Sequence, residues 1–201
     1  MSILVGLTGG IASGKTTVTT FLKKKGFAVH DSDLVVKKLY STPTKDLIKA
    51  LKRIGLSHSI TNKKINKDTI RKEIFSNKHM KKKLEKFIHN EVRKSRNFFI
   101  KKHKNKKTKI LFFDIPLLFE ANLAHTCHYI ILLYAPKKTK IERASKRKGL
   151  NKKTILKILK NQTNDKIKKK KSDYVINTSK SKKHSFKMIL EAINNIMALN
   201  A

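Results

Sequence analysis

The segment Gly9-Gly10-Ile11-Ala12-Ser13-Gly14-Lys15-Thr16 follows the apolar residues Ile3-Leu4-Val5 and Leu7, and reads G-x-x-x-x-G-K-T. Glycine reaches left-handed conformations and brings no Cβ into a ligand's path, so such a loop can turn its backbone N–H groups inward around phosphate oxygens. Lys15 then reaches the β- and γ-phosphates and Thr16 helps to hold Mg²⁺, which makes a nucleoside triphosphate the expected ligand. The residues expected to touch it are Gly10, Ile11, Ala12, Ser13, Gly14, Lys15, Thr16 and Thr17. The motif needs a strand before it and a helix after it. Residues Thr17 to Lys25 supply the helix, with Gly26 as its stop signal.

Acids stand where a second substrate would approach. Asp31-Ser32-Asp33 follows the apolar run Phe27 to His30. In a parallel sheet the carboxyl ends of neighbouring strands open on one crevice, so this pair is expected opposite the phosphate loop, beside an acceptor hydroxyl. A carboxylate there can take the hydroxyl proton or orient the nucleophile during phosphoryl transfer. The competing role for Asp33 is to cap a helix over Leu34 to Tyr40. Capping alone does not call for two acids in a chain with thirteen, so the catalytic role is preferred. Asp114 closes a third apolar run, Ile110 to Phe113, where an acid can orient water around Mg²⁺. Pro116-Leu117-Leu118-Phe119 then reads at least partly as strand-exit packing, and Glu120 is a candidate to face the acceptor.

Arg143 and Arg147 lie one turn apart in a helix opened by Pro136, so they share a face. That face is either a lid closing over the triphosphate or a solvated surface, and the spacing alone does not choose. His89, a lone histidine on a helix, reads as structural from its type. His125, Cys127 and His128 are metal-ligand types without partners at zinc spacing, and are expected to pack at a strand edge.

The elements that must position these residues follow from the alternation of apolar runs with helical spacing, the pattern of an α/β fold with a parallel sheet covered by helices. Five parallel strands are expected: Ile3 to Leu7, Phe27 to His30, Ile110 to Asp114, Tyr129 to Tyr134 and Tyr174 to Ile176. Between the second and third lies a mostly helical insertion, in which Met80, Leu84, Phe87, Ile88 and Val92 keep a helical rhythm after the N-cap Asn77. Lys104 to Lys107 reads as a connecting loop. Asn151 caps a helix carrying Ile155, Leu156, Ile158 and Leu159, and the run Lys166 to Lys171 reads as a solvated helix face. Phe186, Ile189, Leu190, Ile193 and Met197 mark a closing amphipathic helix.

The 201 residues suit one α/β domain with insertions, and a single cysteine excludes an internal disulfide. No basic segment precedes the first apolar stretch and no apolar run approaches the ~18 to 20 residues of a membrane span, so the expectation is a cytoplasmic protein without a membrane partner. The formal charge of +36 invites a nucleic-acid reading, but the lysines are scattered and only six arginines accompany them. Specific readers exploit the guanidinium fork, so the expectation is salt-sensitive, unspecific binding to polyanions.

The loop, Asp31-Ser32-Asp33, Ile74-Phe75, Leu84 with Ile88-His89, Asp114 to Glu120, Arg143 with Arg147, Gln162 and Asp173-Tyr174-Val175-Ile176 together resemble the dephospho-CoA kinase family, nearly end to end. The resemblance implies a P-loop kinase fold with core 1–33, 108–150 and 172–201, a helical CoA-binding insertion over 34–107 and a helical lid over 151–171. It implies transfer of the γ-phosphoryl group of ATP, with Mg²⁺, to the ribose 3′-hydroxyl of dephospho-CoA by a monomer. Asp33, Lys15 and Arg143 would be catalytic, Arg143 and Arg147 would bind ATP, and Asp33, Lys37, Lys67, His89, Pro116, Leu117 and Glu120 would bind the acceptor; Thr16 and Asp114 would hold the metal. Lys37 and Lys67 replace the family's usual arginines, Asn90 its proline after the histidine, and Lys166 stands in for the lid arginine; Asn177-Thr178 is an imperfect form of its terminal turn. A lysine makes a single-point contact where arginine makes a fork. Shikimate kinase is the nearest rival, and the chain lacks its glycine-rich substrate loop: after Gly14 only Gly26, Gly55 and Gly149 remain. A basic nucleic-acid-binding NTPase is the rival from another class; no aromatic-rich basic stripe supports it.

Overall fold

The computed structural model describes residues 2–62, 64–106 and 108–201. They form two compact units, one from residues up to His30 together with His103–Ala201, the other from Asp31–Lys102.

The first unit is built on a five-stranded sheet of β1 (Ile3–Thr8), β2 (Ala28–Asp31), β5 (Ile110–Asp114), β6 (Tyr129–Tyr134) and β7 (Tyr174–Asn177), in the order β2-β5-β1-β6-β7. β1 runs parallel to β5, with Leu7 opposite Asp114, and parallel to β6, with Leu7 opposite Ile131; β6 and β7 are also parallel. A sheet covered on both faces needs apolar residues on both, which is why these strands read as continuous runs. Val5, Leu7, Phe112, Ile131 and Leu133 form its core with Val18 and Leu22 of α1 (Lys15–Lys24) and Ile189, Ile193 and Ile196 of α9 (Lys182–Ala198). The two helices also meet through Phe21 and Phe186, stacked at 4.0 Å between ring centroids. Leu22 is fully buried, and truncating it to alanine is worth about 2–5 kcal/mol. α6 (Lys137–Ser145), α7 (Lys152–Asn161) and α8 (Asp165–Lys170) complete this unit.

The second unit packs α2 (Ser32–Ser41), α3 (Lys45–Ile54), α4 (Lys67–Ser76) and most of α5 (Lys78–Asn105) around Leu39, Leu47, Leu51, Leu56, Ile70 and Leu84. Asn77 opens α5, its side chain accepting from the N–H groups of His79 and Met80, and Leu84 is buried with Met80, Phe87 and Ile88 packed on it. The unit also holds a small antiparallel pair, β3 (Ile60–Thr61) and β4 (Lys64–Ile65), too short to leave a period in the sequence. The expected loop at Lys104 is instead the end of α5, which continues through Asn105 because no glycine or proline interrupts it; Lys107 lies outside the described residues.

Candidate active site

The phosphate loop joins β1 to α1 in the first unit. Gly14 occupies the N-cap of α1 with φ +84° and no side chain caps that helix end, so its free N–H groups and the helix dipole are available to an anion. A Cβ on Gly14 would lie 3.1 Å from Thr178 Oγ1, and one on Gly9 would lie 2.5 Å from the Leu133 carbonyl oxygen. Both glycines are therefore fixed by close approach. Lys15 Nζ pairs with the carboxylate of Asp114, a buried residue at the end of β5. The loop lysine and the strand-end acid expected from sequence thus meet directly. Thr16 stands exposed in the first turn of α1.

A pocket of about 230 Å³ opens beside the loop, lined by Gly14, Thr17, Arg143, Arg147, Thr178 and Lys180 among others. Arg143 is not free on its helix. Its guanidinium donates to Thr178 Oγ1 at 3.2 Å and to the Thr178 carbonyl at 2.6 Å, while the Thr178 hydroxyl donates to the Ser13 carbonyl at 2.6 Å. This chain of bonds ties α6, the turn after β7 and the phosphate loop together, and the face that carries Arg143 and Arg147 lines the cavity. Thr178 and Lys180 were not singled out as contacts by residue type, since a threonine after a strand is commonplace.

Residues 151–171 form two helices, α7 and α8. The lysine run is only partly the solvated face expected of it: Lys168 is fully buried and pairs with Glu120 at 2.8 Å, and Lys169 Nζ lies 3.7 Å from the centroid of the Tyr134 ring. Glu120 Oε1 also accepts from the Thr163 N–H at 2.8 Å. Burial pushes the Glu120 carboxyl up, but the Lys168 ammonium and the backbone N–H groups of Thr163 and of Glu120 itself outweigh it and hold it below the ordinary carboxylate value. The carboxylate read from sequence as facing the acceptor is committed to the 163–168 segment. Lys140, another buried lysine, pairs with Asp165 at 2.6 Å.

Asp31 and Asp33 belong to the second unit and have different surroundings. Asp31 is the N-cap of α2, its Oδ1 accepting from the Leu34 N–H at 2.9 Å. The helix begins at Ser32 and not at Leu34, so the cap falls two residues earlier than expected. Asp33 sits in the first turn, exposed, and its carboxylate makes no hydrogen bond among the described residues. Lys37 is exposed on α2 and His89 exposed on α5. Lys67 opens α4 after the Asn66 cap, with its ammonium 5.5 Å from the ring centroid of Tyr40, whose phenol burial pushes up. In the first unit the Pro116 carbonyl accepts from Thr8 Oγ1 at 3.1 Å, and Leu117 is exposed. His128 Nδ1 accepts from the Leu4 N–H at 3.0 Å at the strand edge, and no group of three metal-ligating side chains exists among the described residues.

The chain as a whole is similar to known proteins. The family model "CoaE: Dephospho-CoA kinase" matches residues 3–184. The dephospho-CoA kinase of Fusobacterium nucleatum is 35% identical over 191 residues, covering 94% of this chain and 96% of that protein. The dephospho-CoA kinase of Bartonella quintana is 31% identical over 195 residues, covering 96% and 98%. Among solved structures, dephospho-CoA kinase from Campylobacter jejuni superposes with a TM-score of 0.73 at 25% identity over 100% of both chains. Shikimate kinase from Acinetobacter baumannii, in complex with shikimate, gives a TM-score of 0.50 at 15% identity over 98% of this chain and 94% of that one, a likeness of fold alone. With a phosphate loop paired to a strand-end acid and a family match over most of its length, this P-loop kinase chain belongs to the dephospho-CoA kinase family.

Proposed function

We infer that the chain transfers the γ-phosphoryl group of ATP to the ribose 3′-hydroxyl of dephospho-CoA, giving coenzyme A and ADP. The observation that carries this reading is the Lys15–Asp114 pair at the mouth of the loop in a chain that matches the family over residues 3–184. Residues Gly10 to Thr17 cradle the triphosphate through backbone N–H groups. The pocket lined by Arg143, Arg147, Thr178 and Lys180 takes the nucleoside, and Arg143 is held ready beside the loop by Thr178. Thr16 and Asp114 offer a hydroxyl and a buried carboxylate, hard oxygen donors of the kind Mg²⁺ accepts while keeping several waters. Bound there, Mg²⁺ would neutralise charge on the phosphates. Lys15, with Asp114 as its resting partner, is drawn to the β- and γ-oxygens when ATP binds and stabilises the charge of the transferring group.

Asp33 accepts the proton of the attacking hydroxyl. What supports this is the division of labour at the start of α2: Asp31 does the capping, and the Asp33 carboxylate makes no hydrogen bond among the described residues. Lys37, Lys67, His89, Pro116 and Leu117 form the acceptor side of the same proposal, with lysines giving point contacts to the acceptor's phosphates. Glu120 we move from that group to the support of residues 163–168. The enzyme is taken to work as a monomer in the cytoplasm and to bind no nucleic acid sequence specifically, in keeping with its scattered lysines. No helix among the described residues is long and apolar enough to cross a membrane.

A coupled ADP-release assay with dephospho-CoA, shikimate and single-stranded DNA tests the assignment. ADP formation dependent on dephospho-CoA is expected. Turnover with shikimate or DNA and none with dephospho-CoA would overturn it.

A further inference from the structure

The outer turn of the phosphate loop is held from outside by the segment between α7 and α8. The Ile11 N–H donates to Gln162 Oε1 at 3.1 Å, and a Cβ placed on Gly10 would come within 3.0 Å of that same oxygen and 3.6 Å of Lys140 Nζ. A side chain at Gly10 would therefore press on the Gln162 carboxamide, which lies close against the loop. The neighbouring side chains follow suit: Ala12, Ala144 and Ile155 are buried together, with Ile11, Ile141 and Leu159 packed on them. Ala12 has φ +55°, a backbone conformation that costs a residue with a Cβ about 1 kcal/mol or more. Its methyl is nonetheless buried in this cluster, at 5% exposure.

Gln162 is itself held in place. It is the C-cap of α7, and the residues after it are fastened to the core at three points: Thr163 N–H to Glu120, Asp165 to Lys140, and Lys168 to Glu120. Two of these are ion pairs whose lysines are almost fully buried, so the segment does not swing freely at that end.

We propose that Gln162 is a positioning residue for phosphoryl transfer: its carboxamide oxygen fixes the Ile11 N–H, and with it the shape of the phosphate loop, to the seat of the α7–α8 segment on Glu120 and Lys140. The proposal rests on the kinase reading above. It assigns Gln162 no contact with the reacting atoms. Loss of the bond lets the outer turn relax before ATP binds, so ATP must restore the geometry on arrival, whereas the acceptor's own contacts are untouched.

The test compares Gln162→Leu, which removes the acceptor oxygen, with Gln162→Glu, which keeps one. Two readouts are taken: backbone amide hydrogen exchange at Ile11 by NMR without ligand, and steady-state kinetics with each substrate varied. Gln162→Leu is expected to speed Ile11 exchange at least tenfold and to lower kcat/KM for ATP about tenfold, the order of one lost hydrogen bond. The KM for dephospho-CoA should stay within twofold, and Gln162→Glu should restore slow exchange. Unchanged Ile11 exchange in a folded Gln162→Leu protein would overturn the proposal, as would equal losses toward both substrates. Should Gln162→Leu fail to fold, fast Ile11 exchange in folded Gln162→Glu would do the same. The exchange measurement needs no catalysis, so absence of kinase activity in the wild type would defeat the functional reading while leaving the loop contact separately decided.

Discussion

Replacing Glu120 by alanine is expected to cost much more stability than replacing Lys168 by methionine, although the two side chains form one ion pair. The asymmetry comes from burial. The Lys168 side chain is 1% exposed, its Nζ has no hydrogen bond among the described residues, and the Glu120 carboxylate 2.8 Å away is its ion-pair partner. Taking that partner away strands an ammonium group in the interior, a loss of about 3–5 kcal/mol when a buried pair is broken. Methionine at 168 instead fills a similar volume with apolar atoms. Glu120 then keeps a side chain that is 17% exposed, with Oε1 still accepting the Thr163 N–H, while its Oε2 is buried without a hydrogen bond among the described residues with or without the lysine. That single change should cost about 1–2 kcal/mol. For a chain of this size each kcal/mol moves Tm by about 2–4 °C, so the expected drops are about 6–20 °C and about 2–8 °C. Glu120→Gln combined with Lys168→Met should lie closer to wild type than Glu120→Ala does, since no lone charge is left inside. Urea unfolding at pH 7 and scanning calorimetry measure all four proteins. Equal losses for the two single variants, or a loss below about 1 kcal/mol for Glu120→Ala, would show that the buried ammonium is not what governs this contact.

The same pair sets a pH dependence. Because the Glu120 carboxyl is held below its ordinary value of 4.5, its contribution is complete above 4.5 and is lost as pH falls through the lowered value; urea midpoints should show less acid sensitivity in Lys168→Met than in wild type below that pH. A parallel decline in both proteins would remove Glu120 from the explanation. Gly14→Ala should weaken ATP binding at least about tenfold by calorimetric titration, since alanine at φ +84° is strained and its Cβ would press on Thr178 Oγ1 at 3.1 Å. An ATP Kd within twofold of wild type would refute that close approach.

How much of this was legible in the sequence depended on whether a residue's role was set by its neighbours in the chain or by the fold. The strands of the first unit were readable because a sheet buried on both faces demands unbroken apolar runs such as Ile110 to Phe113. The loop was readable because its chemistry needs glycines and a lysine at fixed offsets. Lys168 was not: Lys168, Lys169, Lys170 and Lys171 are identical letters in a row, and only the fold decides that the first meets Glu120 while its neighbours stay at the surface. The ion pair that Glu120 makes, in turn, could not be read until that lysine was located. The capping role was legible for the acidic pair but fell on the wrong member, Asp33, because moving the helix start from Leu34 to Ser32 moves the cap to Asp31. The β3–β4 pair, two residues on each side, was too short for any alternation to register.

The most direct test of the account is the turnover of Asp33→Asn with dephospho-CoA as acceptor, read as steady-state ADP formation alongside ATP binding and thermal melting. Asp31 carries the cap and the Asp33 carboxylate makes no hydrogen bond among the described residues, so asparagine at 33 should leave Tm and ATP affinity unchanged. Turnover should fall by about 10²- to 10⁴-fold, the usual contribution of a general base. A variant that turns over within about threefold of wild type, with stability intact, would contradict Asp33 as the group that takes the acceptor's proton.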